Sequence, residues 1–344
     1  MKKRIAAAAM AAMMGLSLAA CGGSSSSDTT AAPAAETTQA ESSGETAAAE
    51  GWKPSSAVSI VVPAGAGGDT DLTARLFAQY AKELSGVDFV VVNSSGASGS
   101  VAANQVLSAD PDGLTVLYGH NLVNVANVAG ITDYNYTAFT LGPTFVREPA
   151  QQLYVNAEKY ADLNAFIEAA KAAPGQLKAC TEVGAYTYYE ILLFQQVAGI
   201  ELDLVDVGSN ADKITAMLSQ QVDLMPGSFI NTKDYIDAGQ FRCLGVPGDT
   251  VPDYMAEAGV ETFKAQGIDM DYPSLDFSFY FPKDTPDEVI AWYENITEQI
   301  CSNEEAIQSM KDMQVEAYYL NAADSEKNDE AYYNIFKTIG DSVN

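Results

Sequence analysis

Short apolar runs that end in glycine-rich loops, each followed by a helical pattern, recur along this chain and limit it to one class of fold. Residues 57–62 read AVSIVV, almost wholly apolar, as a strand covered on both faces of a parallel sheet must be. The loop Pro63–Thr70 follows, with three glycines. In residues 71–84, Leu72, Leu76, Tyr80 and Leu84 recur at four-residue spacing with Phe77 beside them, which predicts a helix. A strand over 88–92, a second glycine loop at Asn93–Gly99, a helix over 100–107, a turn at Pro111-Asp112-Gly113 and a strand over 114–118 complete a βαβαβ order. Such an order demands a parallel sheet with right-handed crossovers.

The pattern then starts again. Helices are read at 163–172, 186–198, 211–219 and 234–238, and strands at 177–180, 202–205, 222–225 and 241–246. A strand over 277–281, a helix over 286–300 and a helix over 324–343 are too little to stand alone. The economical solution is a discontinuous first lobe of residues 52–152 and 273–344, with residues 153–272 as a second lobe and a cleft between them. The expected fold class is α/β, each lobe a mostly parallel sheet flanked by helices.

Residues 1–21 have the layout of a secretory signal. Lys2, Lys3 and Arg4 precede an apolar stretch over 5–18 that is too short to span a membrane, and Leu18-Ala19-Ala20-Cys21 resembles a bacterial lipobox, with Cys21 as the lipidated residue. The alternative is an ordinary signal peptide with a chance cysteine. Residues 22–51 hold almost only Gly, Ser, Thr, Ala, Glu, Gln, Pro and Asp until Trp52 brings back apolar side chains, so they are expected to be a disordered tether. A globule tethered to the outer face of the cytoplasmic membrane follows.

The chain carries 18 basic and 46 acidic residues, a net charge of −28, or −31 once Lys2, Lys3 and Arg4 are removed. That opposes nucleic acid binding by the bulk surface and repels anions at long range. An anionic ligand therefore needs positive potential at its own site. One histidine and four scattered cysteines offer no metal-ligand cluster, and no cofactor loop is present, so neither is expected. With Cys21 set aside, Cys180, Cys243 and Cys301 allow at most one disulfide.

In an open parallel sheet, ligands bind beyond the carboxyl ends of the strands. The loop 63–70 lies at such an end and opens a helix, where unpaired N–H groups and the helix dipole favour an anion without Lys or Arg. Asp69 or Thr70 is the expected N-cap. The loop is not a phosphate-binding P-loop, since no Lys follows its glycines, and position 70, where a GxGxxG motif needs glycine, is Thr. The loop at 93–99 repeats the arrangement, and Thr181–Thr187 does so in the second half, so loops of both lobes would face each other. Ligand contacts are expected from Ala66, Gly67, Gly68, Asp69, Thr70 and Asp71, from Asn93 and Ser95, from His120, and from Gly184, Ala185, Tyr186 and Thr187. Asp71 has a second reading as a stabiliser of its helix N-terminus, Arg75 as a structural ion pair, and His120 as a hinge residue. Tyr186 and Tyr188 suit a ligand wall, whereas Tyr189 suits the core.

The same residues resemble the tripartite tricarboxylate transporter receptor family. Gly67, Gly68, Asp71, Ala74 and Arg75 match its GGxxDxxAR element; Asn93, Gly96 and Gly99 its Asn…GxxG element; Pro111, Asp112, Gly113 and Thr115 its PDGYT-like turn. Gln221-Val222-Asp223-Leu224, Gly239–Val246 and Thr285–Val289 continue the match collinearly. The resemblance implies a two-lobed periplasmic-binding-protein-like fold that closes on a small carboxylate held largely by backbone N–H groups. It also implies an extracytoplasmic receptor, working as a monomer, that delivers its solute to one large and one small integral membrane subunit. The family's Tyr-Lys-Gly element reads Asp206-Val207-Gly208 here, without Lys, so second-lobe side-chain contacts stay open. A surface-anchored hydrolase is the alternative, although a single histidine leaves no defensible Ser/His/Asp set.

Overall fold

The structure is a computed structural model that describes residues 51–343; the lipidation at Cys21, the signal segment and residues 22–50 of the tether lie outside the described residues. The elements are, in chain order, β1 (Val58–Val62), α1 (Asp69–Ser85), β2 (Phe89–Asn93), α2 (Ser100–Leu107), β3 (Thr115–Gly119), α3 (Leu122–Val128), β4 (Thr140–Glu148) and β5 (Gln152–Asn156). Then come α4 (Leu163–Ala172), β6 (Lys178–Thr181), α5 (Tyr186–Ala198), β7 (Asp203–Asp206), α6 (Asn210–Leu218), β8 (Met225–Gly227), α7 (Phe229–Asp237) and β9 (Phe241–Gly245). The last are α8 (Asp253–Glu257), β10 (Leu275–Phe281), α9 (Asp287–Cys301), α10 (Glu304–Asp312), β11 (Glu316–Leu320) and α11 (Ala322–Val343).

The first sheet has the order β11-β4-β10-β3-β1-β2. It is parallel through β2, β1 and β3, as the βαβαβ reading requires, and antiparallel where β10 pairs with β3 and β4, and β4 with β11. The antiparallel half exists because the chain leaves this sheet after Glu148 and re-enters it at Leu275, running back between β3 and β4. In the second half, β6 and β7 pair in parallel, β5 pairs antiparallel with β8 and β9, and a parallel bridge from Ala179 to Leu224 links β6 to the approach of β8.

Val58, Ile60, Val61 and Val62 are fully buried, which is why β1 reads as a continuous apolar run. Around them lies an aromatic core: Phe77 of α1 meets Phe279 of β10 at 4.6 Å and Phe145 of β4 at 5.2 Å between ring centroids. A separate core of Leu153, Val155, Phe166, Phe194 and Phe263 holds the second half. Helix α1 presents Leu76, Phe77 and Tyr80 inward and ends at Gly86, whose left-handed φ of 71° lets its N–H reach Lys82 O. Leu84, counted with the apolar stripe from sequence, is 44% exposed, because the stripe turns away from the sheet in the last turn.

Residues 133–156, for which no element was expected, yield β4 and β5. Three expectations need correction. The strand expected at 222–225 forms over 225–227 instead, since Val222–Leu224 lead into the sheet with only the Leu224 bridge. The short helix expected at 234–238 is α7, nine residues from Phe229. The N-cap of α1 is Gly68, extended at φ −79°, ψ 171°, so Asp69 and Thr70 lie inside the first turn.

Candidate functional site

The β1–α1 loop is built around Asp71. Its buried carboxylate accepts the Gly67 N–H at 2.9 Å, Arg75 Nε at 3.0 Å and Asn93 Nδ2 at 3.0 Å, and pairs with Arg75 Nη2 at 2.8 Å. Asn93 Nδ2 also reaches Ala64 O at 3.0 Å. Burial alone would raise the Asp71 pKa; the bonds from Arg75, Gly67 and Asn93 outweigh it and hold the carboxyl below its usual range. Gly67 has φ 83°, the left-handed region that lets its N–H turn back to Asp71. Asp71, Asn93 and Arg75 therefore shape the loop from behind, outside the cavity lining.

Asp69 changes the expected chemistry of the loop. No side chain caps α1 from Gly68. Asp69 Oδ1 instead accepts the Thr70 N–H at 2.6 Å and Thr70 Oγ1 at 3.1 Å, while Oδ2 accepts Ser228 Oγ at 2.7 Å and Gln151 Nε2 at 3.2 Å. A carboxylate of the chain itself thus occupies the positive end of α1, the place that sequence reasoning reserved for a ligand anion. Behind it, Glu148 is fully buried; burial first, then the Asp69 charge, push its pKa well up, against Ser228 and the Phe229 N–H, neither of which makes a well-formed hydrogen bond to it.

A cavity of about 600 Å³ opens in front of this loop, within the size range of small-molecule sites. Ala66, Gly67, Gly68, Asp69 and Thr70 line it from the α1 end, and Ser95 from the β2–α2 loop. His120 lines it beyond β3, its ring edge-on to Tyr186 at 5.3 Å. Ala185, Tyr186 and Thr187 enter at the start of α5, a helix with no side-chain cap. The structure brings these expected residues together and leaves out Gly184. With φ 76°, Gly184 turns against Ala129 and Ile131, which an added Cβ would meet at 3.1 and 2.9 Å. Tyr186 anchors the wall by donating to Pro273 O, and Tyr272 donates to Tyr186 O at 2.6 Å.

The residues that sequence reasoning missed come from α6, α7 and the β4–β5 join: Ser209, Asn210, Lys213, Asn231 and Gln151. Lys213 matters most. It is 5% exposed, it lines the cavity, and its Nζ has one partner, Thr187 Oγ1 at 3.4 Å. Burial lowers its pKa, opposed by Cys180, Glu182, Asp69 and Glu190. Glu190, fully buried and unbonded at both oxygens, is pushed well up by burial, with the Lys213 charge opposing. A sequence signal for Lys213 existed: it shares a helix face with Ala216 and Met217, both buried. Across the cavity mouth, Asn231 Nδ2 donates to Gly67 O at 3.2 Å, Ser98 N to Glu182 Oε1 at 3.2 Å and Ser98 Oγ to Val183 O at 3.3 Å. Among the described residues, no three His, Cys, Asp or Glu side chains come together to hold a metal ion.

Comparison with known proteins places this geometry. The profile described as "Tripartite tricarboxylate transporter family receptor" matches residues 73–339. The chain is 29% identical over 248 residues to the UPF0065 protein in the TAR-I ttuE-ttuC' intergenic region of Agrobacterium vitis, covering 68% of each chain. Among solved structures it is similar to Rpa4515 of R. palustris with adipate, with TM-score 0.78, 23% identity and 84% of this chain covering 98% of that one. It is also similar to MatC of Rhodopseudomonas palustris with bound malate, with TM-score 0.76, 20% identity and 84% of this chain covering all (100%) of that one. These likenesses show the fold, the two-lobed α/β fold of periplasmic binding proteins. No helix of the described residues is long and apolar enough to cross a membrane. The profile match, which runs over most of the described residues, shows that the chain belongs to the tripartite tricarboxylate transporter receptor family.

Proposed function

We propose that this chain is an extracytoplasmic receptor, not an enzyme, that captures a small carboxylate between two lobes and delivers it to the large and small membrane subunits of a tripartite transporter. The observation that carries the reading is Lys213: a buried ammonium on the cavity wall with a single hydroxyl partner, next to the uncapped N-terminus of α5. An ammonium in that setting is costly unless an anion answers it. The neighbouring proteins that hold adipate and malate support the same ligand chemistry. A hydrolase reading gains no support from His120, whose buried Nδ1 has no hydrogen-bond partner.

In this reading residues 52–152 with 273–344 form one lobe and residues 153–272 the other, and the receptor works as a monomer. Ligand is held by Ala66–Thr70, Ser95, His120, Ala185–Thr187 and Lys213, with Asp71, Asn93 and Gly184 shaping the loops that carry them. Cys21 is the lipid anchor on the outer face of the cytoplasmic membrane, with 22–51 as its tether. The test is a thermal-shift screen of carboxylates, including malate and adipate, beside sugars and metal ions. A ligand at 100 times its Kd stabilises by about 2.7 kcal/mol, a shift of a few degrees. Stabilisation by sugars or cations alone would overturn the reading.

A further inference from the structure

The reading above leaves open which carboxylates fit, and the charge of the cavity wall bears on that. The lining has four side chains that carry formal charge: Asp69, Glu182, Asp212 and Lys213. Three carboxylates therefore stand against one ammonium. Two of the three are occupied. Asp212 is turned back to the start of its own helix, where Ser209 Oγ donates to it at 2.7 Å. Asp69 has two donors on each oxygen, from Thr70, Gln151 and Ser228. Glu182 differs: its carboxylate lines the cavity and its one side-chain bond is the Ser98 N–H on Oε1 at 3.2 Å, with none to Oε2 among the described residues. The wall thus offers one under-partnered cation, Lys213, and one under-partnered anion, Glu182.

A dicarboxylate would set its second charge in a wall that already holds three carboxylates, with backbone N–H groups but no second cation to meet it. A solute with its own positive group answers both side chains at once. We propose that the cleft is built for a zwitterionic solute, a free amino acid or a betaine-like carboxylate, whose carboxylate sits on the Lys213 ammonium and whose cationic group sits on Glu182. The proposal rests on the receptor reading and narrows it. It also gives the buried lysine a role: Lys213 stabilises the complex and not the empty fold.

The experiment is isothermal titration of the purified full chain with the twenty protein amino acids, glycine betaine, malate, adipate, citrate and acetamide. At least one zwitterion is expected to bind ten times tighter than any of the three polycarboxylates. Lys213→Met should weaken that zwitterion roughly 10- to 100-fold, the range for a lost charge-assisted hydrogen bond. Its unfolding midpoint should equal or exceed that of the parent chain, which separates lost binding from lost fold. Glu182→Gln keeps an acceptor for Ser98 N–H; it should weaken the zwitterion about tenfold while improving malate. Malate, adipate or citrate binding more tightly than every zwitterion would overturn this inference and leave the carboxylate receptor standing. Binding of acetamide alone, or of nothing in the panel, would overturn both.

Discussion

At the scale of the residue, this chain spends stability on buried charge. Asp329 is 3% exposed and accepts Asn124 Nδ2 at 2.7 Å and Tyr280 OH at 2.9 Å. Burial first, then the nearby Asp276 and Glu326 charges, push its pKa from 3.8 to about 7, against the bonds from Tyr280 and Asn124. The folded chain therefore keeps a proton that the unfolded chain has lost. Its contribution to stability is fully present below pH 3.8 and is gone once pH has risen through about 7. Glu148 and Glu190, also raised by burial, act in the same direction. Thermal unfolding between pH 4.5 and 8 should show Tm falling as pH rises. Asp329→Asn, neutral at every pH, should flatten the fall and be the more stable protein at pH 8. Parallel Tm curves for the two proteins would refute this.

At the scale of the element, the floor of the cleft is a meeting of three loops at strand ends. Gly99, at φ 86°, leaves no room for a side chain: an added Cβ would come within 2.7 Å of Leu122 and 3.3 Å of Pro63. Gly119 is as tight, with Leu122 at 2.5 Å. Gly99→Ala should cost about 1–3 kcal/mol by overpacking, with added strain from the positive φ, and weaken ligand binding because the Ser98 bonds move with it. Urea unfolding and titration read the two effects separately. The antiparallel half of the first sheet has its own fastening. Asp276 of β10 accepts both Arg147 Nε (2.5 Å) and Nη2 (2.6 Å) from β4, with Asn328 and Tyr332 of α11 adding bonds at 2.7 and 3.0 Å. The Arg147 guanidinium also lies 3.5 Å over the Tyr318 ring of β11. Asp276→Ala leaves this cation half-buried and uncompensated, and should lower unfolding stability by about 3–5 kcal/mol.

At the scale of the whole molecule, bonds across the cavity mouth point to closure as the binding motion. Asn231 to Gly67 and Ser98 to Glu182 each join segments widely separated in sequence. Small-angle scattering should therefore give a smaller radius of gyration with ligand than without. Asn231→Ala removes a mouth contact and should act mainly through faster ligand release, read by stopped flow, with kon little changed. A ligand-bound chain as extended as the free one would rule closure out.

Much of this was legible in the chain before any coordinates. The helices at 100–107, 163–172 and 186–198 form at the residues where periodicity puts them, and β1 follows from an unbroken apolar run, because local pattern and burial agree there. The glycine loops at the ends of β1 and β2, and the helix starts they lead to, followed from the same logic. Strands β4 and β5 were not legible: their residues alternate poorly, and only pairing with β10, β8 and β9 makes them strands. The ligand end of the cleft was half legible. Backbone donors can be inferred from glycine and helix starts, but the fate of a charge depends on what surrounds it in space. Asp69 looked like a cap and became a ligand mimic bonded to residues 82 and 159 positions away. Lys213 drew no expectation from the sequence; its helix face shared with Ala216 and Met217 hints at burial, but only tertiary packing made it the buried cation of the site, because burial is decided by neighbours that sequence distance does not reveal.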